Sequence, residues 1–185
     1  MSNNPMSHTF QYDWFTGHIP LFERYLSDLR GRASYVLEIG CHEGRSSTWL
    51  LENVLTHPDS RLTAIDIYVQ PSYWDNVKAS GGAGKTELLV KPSREALRGL
   101  PLGQYDFVYI DGSHWTIDVL EDAVLAFRLA KVGAILAFDD YLWDDPSYNQ
   151  EGVPKEAIDA FLHIYARKIK VLEQGYQVWV RKLAD

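Results

Sequence analysis

The chain has a single cysteine, Cys41, so an internal disulfide is excluded. Nowhere do apolar residues run on for the roughly 18 positions that a membrane-spanning helix needs, and the N-terminus lacks the apolar core of a signal peptide. The cytoplasm is therefore the expected location. Basic residues are the minority: 18 Lys and Arg stand against 25 Asp and Glu, for a net charge of −7. That balance argues against a nucleic-acid surface, which needs clustered cations to meet phosphates. It also leaves carboxylates available for a metal or a cationic ligand. Repeats and low-complexity tracts are missing, and no linker divides the chain. A length of 185 residues suits one domain with a substantial core. Homo-oligomerisation is left open.

What is present is an alternation. Apolar residues from Trp14 to Leu29 recur at helical spacing until Gly31. Five short apolar runs follow, at 34–39, 62–67, 87–90, 105–110 and 132–138, each reading as a strand. Between them lie helical stretches at 44–55, 71–79, 92–97 and 117–130, with Ser93 the expected N-cap of the third. A loop at 139–153, a helix at 155–167 and two strands flanking Gly175 (169–173 and 176–181) complete the chain. Residues 1–9 are polar and expected to be loosely held. Such alternation predicts an α/β fold: a doubly wound, largely parallel sheet of seven strands, helices on both faces, and a C-terminal antiparallel hairpin. Residues 1–33 would cap the ligand side, and 34–185 would form the domain proper. In such sheets ligands bind beyond the carboxyl ends of the strands.

The residues at those ends carry the chemistry. The first strand runs into VLEIGCHEGRSS. Gly40 permits a tight turn, and Gly44 opens a helix whose N–H groups favour an anion. The spacing is not that of the dinucleotide fingerprint, and Glu38 before the turn would repel a pyrophosphate. Glu38 instead suits an ammonium group and Ser46 a carboxylate, together a site for a zwitterion. The plainer alternative is an ordinary turn with Glu38 satisfied by backbone. Asp66 ends the second strand, where an acid typically holds ribose hydroxyls. The fourth and fifth strands end in IDGSH and AFDDYLW, bringing Asp111, Asp139 and Asp140 to one rim. Three converging carboxylates must take protons or hold a cation, and an all-oxygen donor set suits Mg²⁺, Mn²⁺ or Ca²⁺. His114, three residues after Asp111, can accept a proton near neutral pH. Trp74, Trp115, Tyr141 and Trp143 stand near the rim in sequence, either walling an apolar pocket or packing the core. The segment 79–86, ASGGAGKT, fits a loose Walker A pattern but precedes a strand rather than a helix, so it is expected to be a flexible cover over the site.

Taken together, residues 34–181 resemble class I S-adenosylmethionine-dependent methyltransferases with a Rossmann-like sheet, and among them the metal-dependent O-methyltransferases of the catechol, caffeoyl-CoA and macrolide-sugar types. LEIGCHEGRS is similar to that group's E-x-G-x-x-x-G-x-S turn, FDDYLW to its fifth-strand acid pair, and DGSH to the sugar-methylating branch, whose histidine is the base. The resemblance implies that Glu38, Gly40, Gly44 and Ser46 bind the methionine end of S-adenosylmethionine. Asp66 would bind its ribose, and Ile67 and Ser93 its adenine, with Asp111 also at the cofactor. Asp111, Asp139 and Asp140 would hold a divalent metal, with Mg²⁺ the first choice. His114, beside Asp111, would be the general base acting on a small-molecule hydroxyl. Catechol enzymes carry lysine in place of His114 and asparagine in place of Asp140, so the acceptor stays open. The segment QYDWFTGHIP would lie over the cofactor, bringing Trp14 and His18 near the site. An NAD-dependent oxidoreductase and a non-catalytic S-adenosylmethionine-binding protein are the alternatives.

Overall fold

The computed structural model describes residues 7–146 and 152–185. The expectation for residues 1–6 and for the 147–151 part of the 139–153 loop falls outside the described residues. Seven strands form one sheet: β1 (Tyr35–Ile39), β2 (Arg61–Asp66), β3 (Thr86–Val90), β4 (Tyr105–Ile110), β5 (Ala130–Phe138), β6 (Ile169–Gln174) and β7 (Val178–Lys182). The helices are α1 (Ile19–Leu26), α2 (Arg45–Asn53), α3 (Tyr73–Ala79), α4 (Ser93–Arg98), α5 (Thr116–Leu129) and α6 (Pro154–Ile164). The strand order is β3-β2-β1-β4-β5-β7-β6. Strands β1 to β5 pair in parallel, and β7 lies antiparallel between β5 and β6. The order reverses between β1 and β4, so the switch point lies above their carboxyl ends.

Period-two alternation assigns each strand residue to a face. In β1, Leu37 and Ile39 join a core beneath α4, α5 and α6, whereas Val36 faces the core beneath α1, α2 and α3. The N-terminal region is built into that second core. Phe22 sits edge-on to Phe107, Tyr109 and Trp179, at centroid distances of 5.8, 5.1 and 4.9 Å. Among the described residues, no helix is long and apolar enough to cross a membrane.

Three local expectations are corrected. The helix expected from Trp14 begins at Ile19, after a 3-10 turn at Thr16–His18. Pro20 has no N–H and can stand only in the first turn. Ser93 is the first helical residue of α4 and makes no capping bond, because Pro92 holds the N-cap position in an extended conformation. The 79–86 segment does not cover the site. It leads into the amino end of β3, opposite the rim. Lys85 Nζ donates there to the carbonyls of Leu55 and His57 at 2.7 and 2.8 Å, and a Cβ on Gly82 would lie 2.5 Å from Leu51. The lysine of the Walker-like stretch is thus spent on backbone.

Candidate functional site

The ladder of the sheet continues past the strand ends and fixes the rim. Gly40 N–H donates to Ile65 O at 2.8 Å, Asp111 N–H to Ile39 O at 2.8 Å, and Asp139 N–H to Ile110 O at 2.9 Å. The glycine turn and both acidic strand ends therefore stand side by side. They open on a cavity of about 760 Å³, with Gly40, Ser46, Asp66, Ile67, Ser93, Asp111, His114, Asp139 and Asp140 all on its wall. Ligand clefts usually measure about 300–1,000 Å³, so this one has room for more than one small molecule.

The turn needs glycine. Gly40 has φ +84°, and a Cβ there would lie 1.9 Å from the carbonyl oxygen of Asp111. Asp66 pins the loop that follows: its Oδ2 accepts from the N–H groups of Cys41 and His42 at 3.0 and 2.9 Å. His42 is held there at φ +44°, unusual for a residue with a side chain. Gly44, at φ +81°, is the N-cap of α2 and is absent from the cavity wall.

Glu38 also stays away from the wall, which corrects its expected direct contact with a ligand. Its side chain shares the face of Val36 and points under α2, fully buried, where the Ser46 and Ser47 hydroxyls donate one to each carboxylate oxygen. Burial pushes its pKa up to about 7 against the pull of those two serines. Ser46 reaches the wall with its hydroxyl committed to Glu38.

Among the described residues, no Lys or Arg pairs with the acids of the rim, whose cationic neighbours are His18 and His114. Burial, then Asp139 and Asp140, raise the pKa of Asp111 well above the carboxylate range. Asp139 is raised by burial and then by Asp140. Its Oδ2 accepts from the Tyr109 hydroxyl and from Gln177 Nε2 at 3.1 Å. Asp140 adopts φ +58°, and its two oxygens face the Tyr176 hydroxyl and His114 Nε2, each at 3.0 Å. The His114 ring packs on Trp143 at 4.3 Å. Among the described residues, no group of three or more His, Cys, Asp or Glu side chains is arranged to hold a metal ion. The donor chemistry nonetheless suits a hard cation, since mutual repulsion already favours added positive charge at these three acids.

The N-terminal segment closes the other wall. Gln11 and Tyr12 N–H groups donate to Glu43 Oε2 at 2.9 and 3.3 Å. Tyr12 stacks on Trp14 at 4.9 Å, and His18 Nε2 stands 3.9 Å from Asp139 Oδ1. Trp14, Phe15 and His18 line the cavity. Of the four rim aromatics, Trp143 alone does so. Tyr141 is buried, donating to Asp159 at 2.8 Å, Trp74 packs against Tyr73, and Trp115 points outward. Sequence reasoning missed Tyr176, Tyr109, Gln177 and Glu43. The hairpin signal around Gly175 was the only pointer to Tyr176.

A largely parallel sheet of this order with one antiparallel strand, a cavity over the switch point and a glycine turn pinned by a second-strand acid define a class I methyltransferase fold. The chain belongs to the family described as the methyltransferase domain, whose model matches residues 37–141. It is 32% identical over 153 residues to tapetum-specific methyltransferase 1 of Arabidopsis thaliana, covering 75% of this chain and 63% of that protein. It is 30% identical over 119 residues to catechol O-methyltransferase of Mycobacterium tuberculosis, covering 60% of this chain and 50% of that protein. The chain thus spans from half to somewhat under two thirds of the curated relatives it matches. The O-methyltransferase TomG of Streptomyces achromogenes, solved in complex with S-adenosylmethionine, shares the fold with a TM-score of 0.69 at 21% identity, over 89% of this chain and 77% of that one.

Proposed function

We propose that this protein transfers a methyl group from S-adenosylmethionine to a hydroxyl of a small-molecule acceptor. One observation carries the reading: in a chain of the methyltransferase domain family, the Gly40 turn and the Asp111–His114 turn meet across one cavity through adjacent strand ends. S-adenosylmethionine supplies an already activated methyl group on its sulfonium, so the protein's work is alignment. The Gly40 turn and the start of α2 orient the amino-acid end, and Asp66 and Ile67 hold the nucleoside. Glu38 acts beneath them by fixing Ser46 and Ser47.

At the acceptor end, His114 takes the hydroxyl proton. His114 Nε2 stands 3.0 Å from Asp140, which would stabilise the charge that develops on the ring as Nδ1 takes the proton. The Tyr176 hydroxyl holds the other Asp140 oxygen and so fixes that carboxylate. Trp14 and Trp143 keep water from the reacting oxygen. Asp111, Asp139 and Asp140 are the residues that would hold a divalent cation, Mg²⁺ or Mn²⁺. Bound there, it would supply Lewis acidity toward the acceptor oxygen.

Calorimetry and a transfer assay with labelled S-adenosylmethionine over a panel of hydroxyl acceptors test the reading. Binding of S-adenosylhomocysteine and label transfer to oxygen are expected. Binding of NAD in its place refutes the cofactor. Activity that survives EDTA, with Asp139→Ala also active, refutes metal assistance alone.

A further inference from the structure

The main cavity has an annex. A second hollow of about 160 Å³ lies beyond Ile67 and Ser93, which line both spaces. Its far side is acidic, with Asp118, Glu121 and Asp122 from α5. Two of these acids are engaged: Ser113 donates to Asp118 at 3.0 Å, and Arg98 pairs with Glu121. Asp122 differs. It is 1% exposed, and among the described residues its Oδ1 has no hydrogen-bond partner. Buried carboxyl oxygens are nearly always paired, so this one asks for a donor.

We propose that Asp122 is a specificity-determining residue of the nucleoside site, accepting a hydrogen bond from the exocyclic amino group of adenine. The inference rests on the main cavity being the S-adenosylmethionine site. Asp66 stands at the ribose position, and Ile67 follows it directly. A base packed between Ile67 and Ser93 therefore presents its outer edge to the annex. At the 6-position adenine offers an amino donor, whereas hypoxanthine offers there a carbonyl that a carboxylate repels. Burial pushes the Asp122 carboxyl up to about 7, against the Ser93 hydroxyl, which favours its charged form. A cation is the poorer occupant, because Asp118 and Glu121 already have donors.

The test is calorimetry on the full chain with S-adenosylhomocysteine and with its inosine analogue, in which an oxo group replaces the amino group. One hydrogen bond to a charged group corresponds to about a 10- to 100-fold preference for adenosine. Asp122→Ala should bring the two affinities within about threefold. Asp122→Asn preserves the shape, so it keeps the test open if the alanine variant fails to fold. Its amide can turn to donate to the oxo group, so its ratio should also narrow. Thermal unfolding verifies that each variant is folded. Native binding of S-adenosylhomocysteine with an unchanged ratio in the variants overturns the role of Asp122 and leaves the cofactor standing. Failure of the native chain to bind S-adenosylhomocysteine overturns both.

Discussion

Strand β4 carries an aspartate at each end, and the two live in opposite surroundings. Asp106, at the amino end, is met by Lys131 Nζ at 2.8 Å, by Arg32 at 3.5 Å and by the Tyr35 N–H at 2.9 Å. Asp111, five residues on, faces Asp139 and Asp140, and their charge adds to burial in opposing its ionisation. The same residue type on one strand is neutralised by cations at one end and crowded by like charge at the other. Unrelieved repulsion of that kind is retained where a site uses it. The amino end of the sheet holds the fold together, and the carboxyl end keeps a potential ready for a proton or a cation.

The largest effects should come from the carboxyl end, and they should appear in rate. On the proposed mechanism His114→Ala removes the group that takes the acceptor proton, so kcat should fall by about 10²–10⁴. Affinity for S-adenosylhomocysteine should stay close to native, since the role proposed for His114 is at the acceptor. A variant with native kcat would return His114 to the packing role that its contact with Trp143 already offers. Asp111→Asn sharpens the contrast: it should lower kcat by at least about tenfold while raising the melting temperature, because it removes one of three repelling acids. Melting curves in which Asp111→Asn is less stable than native would mean that the repulsion is already relieved.

Asp106→Ala should behave in the reverse manner. It leaves the Tyr35 N–H without its acceptor and two cations without their partner, a loss of about 3 kcal/mol of stability. Rate and cofactor affinity should be unaffected, because the residue lies a strand's length from the cavity. Urea unfolding and steady-state kinetics on the same preparation check both halves, and a kinetic defect would break the division between the two ends.

Much of this division is legible in the sequence. The apolar runs mark the strands because strands buried on both faces read as continuous hydrophobic sequence. The rim acids can be named because they directly follow those runs. Two things are not legible. Whether Glu38 lines the cavity or lies under α2 depends on which face of β1 points inward, and a continuous apolar run hides that parity. Tyr176 and Gln177 reach Asp140 and Asp139 only because β7 runs antiparallel, bringing its start to the rim. The 79–86 segment misleads for a different reason: its glycines suggest a mobile cover, yet a segment leading into a parallel strand must lie at the sheet's amino end.

The smallest expected effect concerns Glu38, which belongs to neither pattern, being buried beneath the rim with hydroxyls rather than charges for partners. Its folded pKa is raised to about 7 from an ordinary value of 4.5, chiefly by burial. The native state therefore keeps the Glu38 proton over a range in which the unfolded chain has released it. Linkage sets the sign: its contribution to stability is fully present below the unfolded value and is lost as pH rises toward the folded one. Each pH unit over which the two states differ by one bound proton is worth about 1.4 kcal/mol, so the loss between about pH 5 and about pH 8 is on the order of 2 kcal/mol. Asp122 titrates in the same direction toward about 7, so native stability alone does not isolate Glu38. Glu38→Gln does, since glutamine keeps the shape and an acceptor for one serine but carries no titrating proton. The native chain should lose more stability than the variant between the two pH values, as read by urea unfolding at each. Parallel losses would mean that Glu38 is ionised throughout, held as a carboxylate by Ser46 and Ser47, and its place would then be with Asp106 among the acids whose charge the fold satisfies.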